Sequence, residues 1–387
     1  MKIKMENRCL IINNLRTISG GGIIHLLELT KFLSTYKDNK LKIKIYCHSS
    51  LKRKLEKRYN LSNIKVISNK FFDNTFFSLI IELFYFGFLY GFRKNTFVFN
   101  TDGASLYLFR NQTRLYTDLL AFEKIGYKTG YTEGIYSLLR LISIFLIQKF
   151  GLLISDKVVF HTNYSKKCIT KGLPKFLLPK IKVIPHTTNI CVSKEKDFSE
   201  EVNFNIADKK IIKLLYVSPF YEYKRQDEVI RAFYSLLDKG LNLELTLAGE
   251  KNTKYAEKLF KKVEKNKHFR KLKIYGALPH KKVLSLMQES DIFIFNSACE
   301  SFGITLLEAA ASYCHVVCSN SSALPEVSMN LNNIYLVDGS KTNEIEEKIN
   351  WIIKNNPPLK RFNIDAFPSW EKAEDELISF TLDTKPN

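Results

Sequence analysis

The amino-acid sequence predicts an α/β protein with two Rossmann-like, doubly wound parallel-sheet domains. At 387 residues the chain is too long for one ordinary core and has the length of two domains. Short apolar runs alternate with amphipathic helical segments in both halves, which is typical of parallel β-α-β units. The polar stretch after Pro185 has no strong periodicity and indicates a linker. We therefore expect two domains that face a cleft.

The predicted N-terminal domain spans residues 1–190 and opens with a β-α-β unit. Its strands are expected where short apolar and β-branched runs occur, and its first helix where apolar residues recur at helical spacing. These elements are strands at Cys9–Asn13, Lys42–Tyr46, Asn63–Ile67, Thr96–Asn100, Arg114–Thr117, Lys157–Phe160 and Lys182–Ile184, and a helix at Ile23–Tyr36.

A linker at 191–210 and a C-terminal domain at 211–365 follow. Strands alternate there with helices of a length that favours a second parallel sheet. The strands are Lys213–Val217, Glu244–Ala248, Lys273–Tyr275, Ile292–Phe295, Val316–Ser319 and Ile334–Val337. The helices are Gln226–Asp238, Lys254–Lys265, His280–Glu289, Ile304–Ser312 and Thr342–Lys354.

Charge is unevenly distributed along the chain. Residues 1–200 hold 33 Lys and Arg against 14 Asp and Glu, a net charge of +19, whereas residues 201–387 carry +1. A basic half predicts a partner with negative charge, such as a phospholipid surface or a phosphate-bearing acceptor. A basic face that only keeps the protein in solution is the alternative.

Cysteines and apolar stretches bear on the compartment. The seven cysteines are scattered, without a Cys-x-x-Cys pair, which fits a reducing cytoplasm, and Cys314 and Cys318 are expected to be buried in a strand. The N-terminus has no apolar stretch long enough for a signal peptide. Thr75–Phe92 is aromatic but contains Glu82, and Ile135–Ser155 is also interrupted, so we expect buried or membrane-surface helices and no transmembrane span.

A candidate anion site follows the predicted strand Ile292–Phe295. The chain passes through a loop with Glu300 and turns at Gly303 into a helix that contains Glu308. In open α/β sheets the first amides of such a helix point outward beyond the strand end, and glycine lets a ligand approach. The amides concerned belong to Gly303, Ile304 and Thr305. We expect a diphosphate on these amides; a solvated loop residue and a surface helix position are the alternatives for the two acids.

The string Glu300-SFGITLL-Glu308-A resembles the donor signature of glycosyltransferase family 4, whose members share the GT-B fold. Other segments resemble that family in the same order: Tyr216-VSPFYEY-Lys224-RQDEVIRAF, LTLAGE ending at Glu250, Tyr275-GALP, and SSALPEV with Glu326. The tail Phe367-PSWEKAEDELISF resembles the final helix that crosses back to the N-terminal domain. Residues 366–387 are therefore predicted to form a C-terminal crossing helix.

The resemblance implies a retaining glycosyltransferase that binds a nucleotide-sugar donor in its C-terminal domain. Lys224 would hold the diphosphate, Glu300 the transferred sugar and Glu308 the nucleotide ribose, with Lys224 and Glu300 as the catalytic candidates. The full donor-binding set is Gly22, Lys224, Gly249, Ala277, Glu300, Phe302, Gly303, Ile304, Thr305 and Glu308. Many members have an Arg about five residues before the Lys, where this chain has Pro219.

The acceptor side is expected in the N-terminal domain. Ser19-GGGIIHLLEL resembles the turn where Gly21 and Gly22 approach donor phosphate and acceptor. LYTDLLAF resembles the strand end where many relatives carry a His, and Thr117 and Asp118 stand there instead; a turn-capping Asp118 is the alternative. VVFHTNYSKK, with His161, resembles the last strand and loop of this domain, and a buried His is the alternative.

The sequence has no Asp-x-Asp motif, so Lys224 and the helix start at Gly303 would stabilise the leaving diphosphate without a metal ion. We expect no metal and no cofactor beyond the nucleotide-sugar co-substrate. The donor sugar is expected to be a hexose. The acceptor would be a glycan or a polyprenyl-diphosphate-linked sugar of the O-antigen or capsule type, at the inner face of the cell membrane, with no nucleic acid as partner.

Three alternatives stay open from the sequence. The first is an epimerase or phosphorylase of the same fold, which the Glu300 to Glu308 string disfavours. The second is an inactive GT-B binding protein, which Pro219 and Thr117 would favour. The third is a nucleic-acid-binding protein, which needs clustered basic and aromatic residues and has no use for Glu300.

Overall fold

The computed structural model describes residues 8–17, 21–38, 40–188, 201–202, 206, 208–360, 362–363 and 366–383. The chain divides into two compact units. Unit 1 comprises the described residues within 1–122, 139–186 and 368–387, and unit 2 those within 123–138 and 187–367. The predicted linker at 191–210 lies largely outside the described residues, and the predicted domain borders stay predictions.

Unit 1 contains a seven-stranded parallel sheet with the order β3-β2-β1-β4-β5-β6-β7. Its strands are β1 (Arg8–Asn14), β2 (Leu41–Cys47), β3 (Ile64–Ile67), β4 (Thr96–Asn100), β5 (Gln112–Tyr116), β6 (Lys157–Phe160) and β7 (Lys180–Val183). Leu10, Ile11 and Ile12 of β1 are all fully buried, because the central strands of a parallel sheet are covered on both faces.

Unit 2 contains a six-stranded parallel sheet with the order β11-β10-β9-β12-β13-β14. Two short strands pair antiparallel beside it: β8 (Glu201–Val202) and β15 (Leu359–Lys360). The strands of the main sheet are β9 (Ile212–Val217), β10 (Leu243–Ala248), β11 (Leu272–Tyr275), β12 (Ile292–Phe295), β13 (His315–Ser319) and β14 (Ile334–Val337).

Helices connect the strands in both units. They are α1 (Gly21–Thr35), α2 (Ser49–Arg58), α3 (Thr75–Ile80), α4 (Phe86–Tyr90), α5 (Lys124–Glu133), α6 (Ile135–Ile154), α7 (Asn163–Thr170), α8 (Gln226–Asp238), α9 (Lys254–Val263), α10 (His280–Glu289), α11 (Ile304–Ala311), α12 (Leu324–Ser328), α13 (Thr342–Asn355) and α14 (Trp370–Leu382). A π-helical turn, Ile81–Tyr85, joins α3 to α4, and 3-10 turns lie at Lys70–Asp73, Leu120–Phe122, Lys175–Leu177, Glu222–Lys224 and Phe269–Lys271.

All thirteen predicted strands are present, with ends within two residues of the prediction. The predicted final helix is α14, whose apolar side chains pack into the core of unit 1 with those of α1. Lys157 of β6 holds the carboxyl end of α14, because the Lys157 ammonium donates to the carbonyls of Phe380, Thr381 and Asp383. Cys314 and Cys318 are buried as expected; Cys318 lies in β13, whereas Cys314 directly precedes that strand.

The two apolar stretches are helical. Within Thr75–Tyr90, Glu82 is buried and accepts hydrogen bonds from Asn13 Nδ2 and the Leu106 amide, each at 2.8 Å. Among the described residues, Ile135–Ile154 is the one helix with the length and composition to cross a membrane; its most apolar window has a mean hydropathy of 1.8 and is 22% buried. The absence of a transmembrane span stays a prediction.

Candidate active site

The six-stranded sheet brings Lys224 and Glu300 together at its topological switch point. Strands β9 and β12 are neighbours, and their connections leave in opposite directions along the sheet, which opens a crevice beyond their carboxyl ends. Lys224 ends the 3-10 turn that follows β9, and Glu300 lies in the loop that follows β12. The Lys224 ammonium donates to Oε1 of Glu300 as a direct ion pair.

This ion pair is largely enclosed. Lys224 is 8% exposed, and the Glu300 side chain is 16% exposed. Burial acts to lower the pKa of the Lys224 ammonium, but the Glu300 carboxylate and the Tyr216 hydroxyl together outweigh burial, and the pKa lies above its ordinary value. The Tyr223 ring also faces the ammonium, with 4.9 Å between Nζ and the ring centroid. The amine therefore stays a cation at neutral pH.

Side-chain hydroxyl groups from other parts of unit 2 hold the backbone of both partners. The Tyr216 hydroxyl donates to the Lys224 carbonyl at 2.6 Å, and Arg225 turns the chain into α8 with a left-handed φ of 53°. Glu300 is held by Ser322, whose hydroxyl accepts from the Glu300 amide at 3.1 Å and donates to its carbonyl at 2.7 Å. The two charged side chains thus project from backbone that is itself pinned.

Gly303 starts α11 in the left-handed region, at φ 89° and ψ 63°. A side chain there would crowd the core, because a Cβ would lie 3.1 Å from Phe295 and 3.1 Å from Leu324. Gly303, the N-cap residue of α11, has no side chain that could cap the helix, and Ile304 and Thr305 at its start are only half-buried. The first amides of α11 can therefore reach an anion.

Two predicted donor residues lie deeper. Glu308 of α11 is 6% exposed and its Oε1 lies 2.6 Å from Nε2 of His280, the first residue of α10. Phe302 is 2% exposed and packs edge-on against Phe367, so only its backbone is available to a ligand. The carboxylate of Glu308 thus has a protein partner, the half-exposed ring of His280.

Gly249 and Ala277 border the sheet on the β10 and β11 side. A Cβ at Gly249 would lie 1.9 Å from the Ser218 carbonyl oxygen, so only glycine permits this close backbone approach. Ala277 is exposed in the loop between β11 and α10. Both positions follow carboxyl ends of strands, the edge where ligands of such sheets bind.

The predicted acceptor residues of unit 1, and the predicted donor-binding residue Gly22 beside them, differ in their surroundings. Gly21 is exposed at the start of α1, and a Cβ at Gly22 would lie 2.2 Å from the Thr17 side chain; residues 18–20 of the glycine turn lie outside the described residues. Thr117 is half-buried after β5. Asp118 is exposed and accepts from the Leu120 amide at 2.8 Å, which is the turn-capping contact considered as its alternative.

His161 lies in a buried aromatic layer of unit 1. Its ring stacks on His186 with 3.4 Å between centroids, and its Nδ1 is 2.9 Å from the Ile184 carbonyl oxygen. Burial, aided by the nearby His25, lowers the pKa of His161 to about 3, so the ring is neutral at physiological pH. This packing matches the buried-His alternative. The roles of all these residues toward a ligand stay predictions.

Sequence reasoning missed three supports of the site: Tyr223 against Lys224, Ser322 against Glu300, and His280 against Glu308. All three were within reach, since Tyr223 and Ser322 lie in segments that resemble the family and His280 directly follows one. Ser322 has a left-handed φ of 58°, which is typical of a turn. Only the fold reveals that this turn contacts the loop after β12.

These features define a GT-B protein, with two parallel-sheet α/β units and a candidate anion site at the switch point of the second. Residues 197–367 match the family model "Glycosyl transferases group 1", which identifies unit 2 as a domain of that family. The resemblance stated from the sequence is confirmed at that level. Membership of family 4 in particular stays a prediction.

Curated relatives and solved structures agree with this assignment. The phosphatidylinositol N-acetylglucosaminyltransferase GPI3 subunit of Saccharomyces cerevisiae is 24% identical over 223 residues, 56% of this chain and 48% of the relative. An uncharacterised 41.2 kDa protein in the cps region of Klebsiella pneumoniae is 24% identical over 220 residues, 54% and 58% of the two chains. The chain spans about half the length of the curated relatives it matches.

A similar solved structure is Anabaena Alr3699/HepE in complex with UDP and glucose. Its TM-score is 0.63 at 13% identity, and the alignment covers 97% of this chain and 96% of that one. At this identity the likeness concerns the fold alone.

Proposed function

We propose that this chain is a retaining glycosyltransferase that moves a hexose from a nucleotide diphosphate sugar to a hydroxyl acceptor, without a metal ion. The observation that carries the proposal is the enclosed Lys224–Glu300 pair at the switch point of a group 1 domain, beside the α11 start at Gly303. An ammonium and unpaired helix amides can bind the phosphates of a nucleotide sugar, and a carboxylate can accept hydrogen bonds from its sugar hydroxyls.

Each group has a distinct task at the donor. The Lys224 ammonium has three donors and gives one to Glu300, so the others can bind the leaving diphosphate together with the first amides of α11. The Glu300 carboxylate accepts hydrogen bonds from hydroxyls of the transferred sugar. The Glu308 carboxylate, oriented by His280, accepts from the ribose hydroxyls.

The departing phosphate takes the acceptor's proton on the face from which it leaves. This needs no separate general base, and it places the new bond with retained configuration. Fixed positive charge stabilises the leaving group because it is in place before the reaction begins. Two charges that neutralise each other until the donor arrives also tolerate enclosure better than a lone cation.

The acceptor is proposed to be a lipid-linked intermediate of a surface polysaccharide, reached at the inner face of the cell membrane. The excess charge of +19 in residues 1–200 supports a phosphate-bearing acceptor. The relative from the cps region of Klebsiella pneumoniae and the GPI3 subunit of a phosphatidylinositol N-acetylglucosaminyltransferase are consistent with a glycan or lipid acceptor.

The test has two stages. A thermal-shift screen against UDP, GDP, dTDP and their sugars finds the donor, because a ligand that binds the folded state raises Tm. The donor is then incubated with lipid-linked acceptors, with and without EDTA, and the anomeric configuration of the product is read by NMR. We expect EDTA-insensitive transfer with retention.

Other outcomes would favour a different function. An epimer formed without acceptor would indicate an epimerase, and a phosphate-dependent reaction would indicate a phosphorylase. Donor binding with no turnover on any acceptor would favour a binding protein. In that case Pro219→Arg would be the first substitution to test for a gain of transfer activity.

A further inference from the structure

Helix α6 carries an apolar stripe on its solvent side. Leu139, Ile142, Leu146, Phe150 and Leu153 are 38–60% exposed and recur at intervals of three or four residues, which places them on one face. The opposite face is buried and holds α6 on the sheet of unit 1. It comprises Leu141, Gln148, Gly151 and Leu152. A helix docked on a sheet normally turns polar residues outward, so this second apolar face is unpartnered.

A second stripe runs along α3, the π turn and α4. Phe77, Ile80, Phe84, Phe88 and Phe92 again recur every three or four residues and are 39–86% exposed. The opposite side of the same segment is anchored in a buried cluster through Phe86 and Tyr90. We call these two sets together the apolar face of unit 1.

Both stripes lie on the same side of the seven-stranded sheet. The β3-to-β4 and β5-to-β6 connections run in the same direction along the sheet, and right-handed crossovers then place their helices on one face. The fully buried Arg114 of β5 links them: its guanidinium donates to the Tyr107 carbonyl, and Gly151 of α6 packs against it so closely that a Cβ would lie 2.6 Å from Nη1. The neighbouring Leu106 amide binds Glu82, between the two ends of the second stripe.

Most exposed charges around the apolar face are cations, and the two exposed acids nearby have protein partners: Asp156 accepts from the Gln112 amide and Asp73 from the Ser49 amide. Arg93, Lys94 and Arg110 are exposed beside Phe92, and the Asn111 side chain ties their two segments together through the Lys94 carbonyl at 2.9 Å. Arg140 is exposed next to the α6 stripe. Helix α6 has no acidic residue, and Glu82 of the second stripe is buried. Exposed apolar side chains bordered by cations fit a lipid surface with anionic headgroups.

We propose that the apolar face of unit 1 docks on a bilayer that contains anionic phospholipid, with both stripes inserted at the headgroup level. Helix α6 lies on the surface and does not cross it, because its other face is occupied by the sheet: Tyr116 donates to the Gln148 carbonyl at 2.7 Å. The proposal adds a surface to the proposed function and does not depend on it.

The test is co-sedimentation of the full chain with phosphatidylcholine vesicles, with and without phosphatidylglycerol. Phe88→Glu and Leu146→Glu each remove one anchor from a different stripe, and each should lower vesicle binding about tenfold or more, since burying one large apolar side chain is worth at least that factor. Arg93→Gln with Lys94→Gln should reduce binding only to phosphatidylglycerol vesicles. Met329→Glu, at an 80% exposed apolar position of unit 2, is the matched control and should bind like the original chain.

Several results would overturn the proposal. One is equal binding by Phe88→Glu, Leu146→Glu and Met329→Glu. Another is a dimer in sedimentation velocity that Phe88→Glu abolishes while no variant binds vesicles, because a second copy of the chain would then cover the face. Substitution at exposed positions should leave Tm unchanged, which separates lost docking from lost folding. Vesicle binding is measured without donor, so its failure is distinguishable from failure of the transfer reaction.

Discussion

Replacing Lys224 with Gln removes the cation that pairs with Glu300 and keeps a side chain of similar length. With 8% of Lys224 and 16% of the Glu300 side chain exposed, the remaining carboxylate would be left largely desolvated. Loss of one partner of a buried ion pair costs about 3–5 kcal/mol, and the partial exposure of Glu300 favours the lower end, about 3 kcal/mol. On the proposed function, loss of a fixed donor to the leaving diphosphate should also lower kcat about 10²- to 10³-fold.

Urea unfolding and donor turnover measure these two effects separately. The double variant Lys224→Gln/Glu300→Gln should be destabilised by less than the sum of the single variants, because no lone charge is left behind. Lys209→Gln is the matched control, since it breaks the pair between Lys209 and Asp291, 2.5 Å apart at the other end of β12. It should lose stability and keep kcat. An unchanged kcat in Lys224→Gln, or an equal loss of kcat in the control, would refute the role given to Lys224.

Three further predictions follow from single positions. Gly303→Ala should lower the free energy of unfolding by about 1–2 kcal/mol because of the left-handed backbone, and by a further amount because the new Cβ crowds its neighbours. Gly240→Ala, at φ 85° with open space around it, is the control and should show only the loss due to the backbone. His280→Gln should raise the donor KM with little change in kcat, because it frees Glu308 without touching reacting atoms; a fall in kcat alone would contradict this. His161 has a pKa of about 3 in the folded state against 6.5 unfolded, so the unfolded chain binds the extra proton and stability falls as pH falls below 6.5, by about 2 kcal/mol at pH 5. His161→Gln should reduce this dependence in urea unfolding without abolishing it, because burial also lowers the pKa of the stacked His186. An unchanged dependence of stability on pH in the variant would contradict the role given to His161.

The sequence predicted the strands well because each strand of a buried parallel sheet is a compact apolar run, as in Ile292–Phe295. It missed β8 and β15, which have two residues each and no pattern to detect. The site was predicted residue by residue, with Lys224 and Glu300 assigned to different parts of a donor. Their mutual pairing was not predicted, because it depends on β9 lying next to β12, and 76 residues separate the two side chains.

That pairing predicts which ligand the proposed donor site binds more tightly, the nucleotide sugar or the free nucleoside diphosphate. Lys224 and Glu300 cancel each other's charge, so a free nucleoside diphosphate meets an ammonium whose charge is already offset, and it offers the Glu300 carboxylate no hydrogen-bond donor. An intact nucleotide sugar brings hydroxyls that donate to Glu300 while its phosphates accept from Lys224, so both partners remain satisfied.

The sugar therefore contributes to binding through Glu300, and after transfer the restored ion pair favours release of the nucleotide. In Glu300→Gln this preference should disappear, and calorimetry should find the nucleoside diphosphate bound more tightly than by the original chain and about as tightly as the nucleotide sugar. A nucleotide sugar that still binds much better than the nucleoside diphosphate in this variant would mean that other residues recognise the sugar, and Glu300 would then act on the position of Lys224 alone.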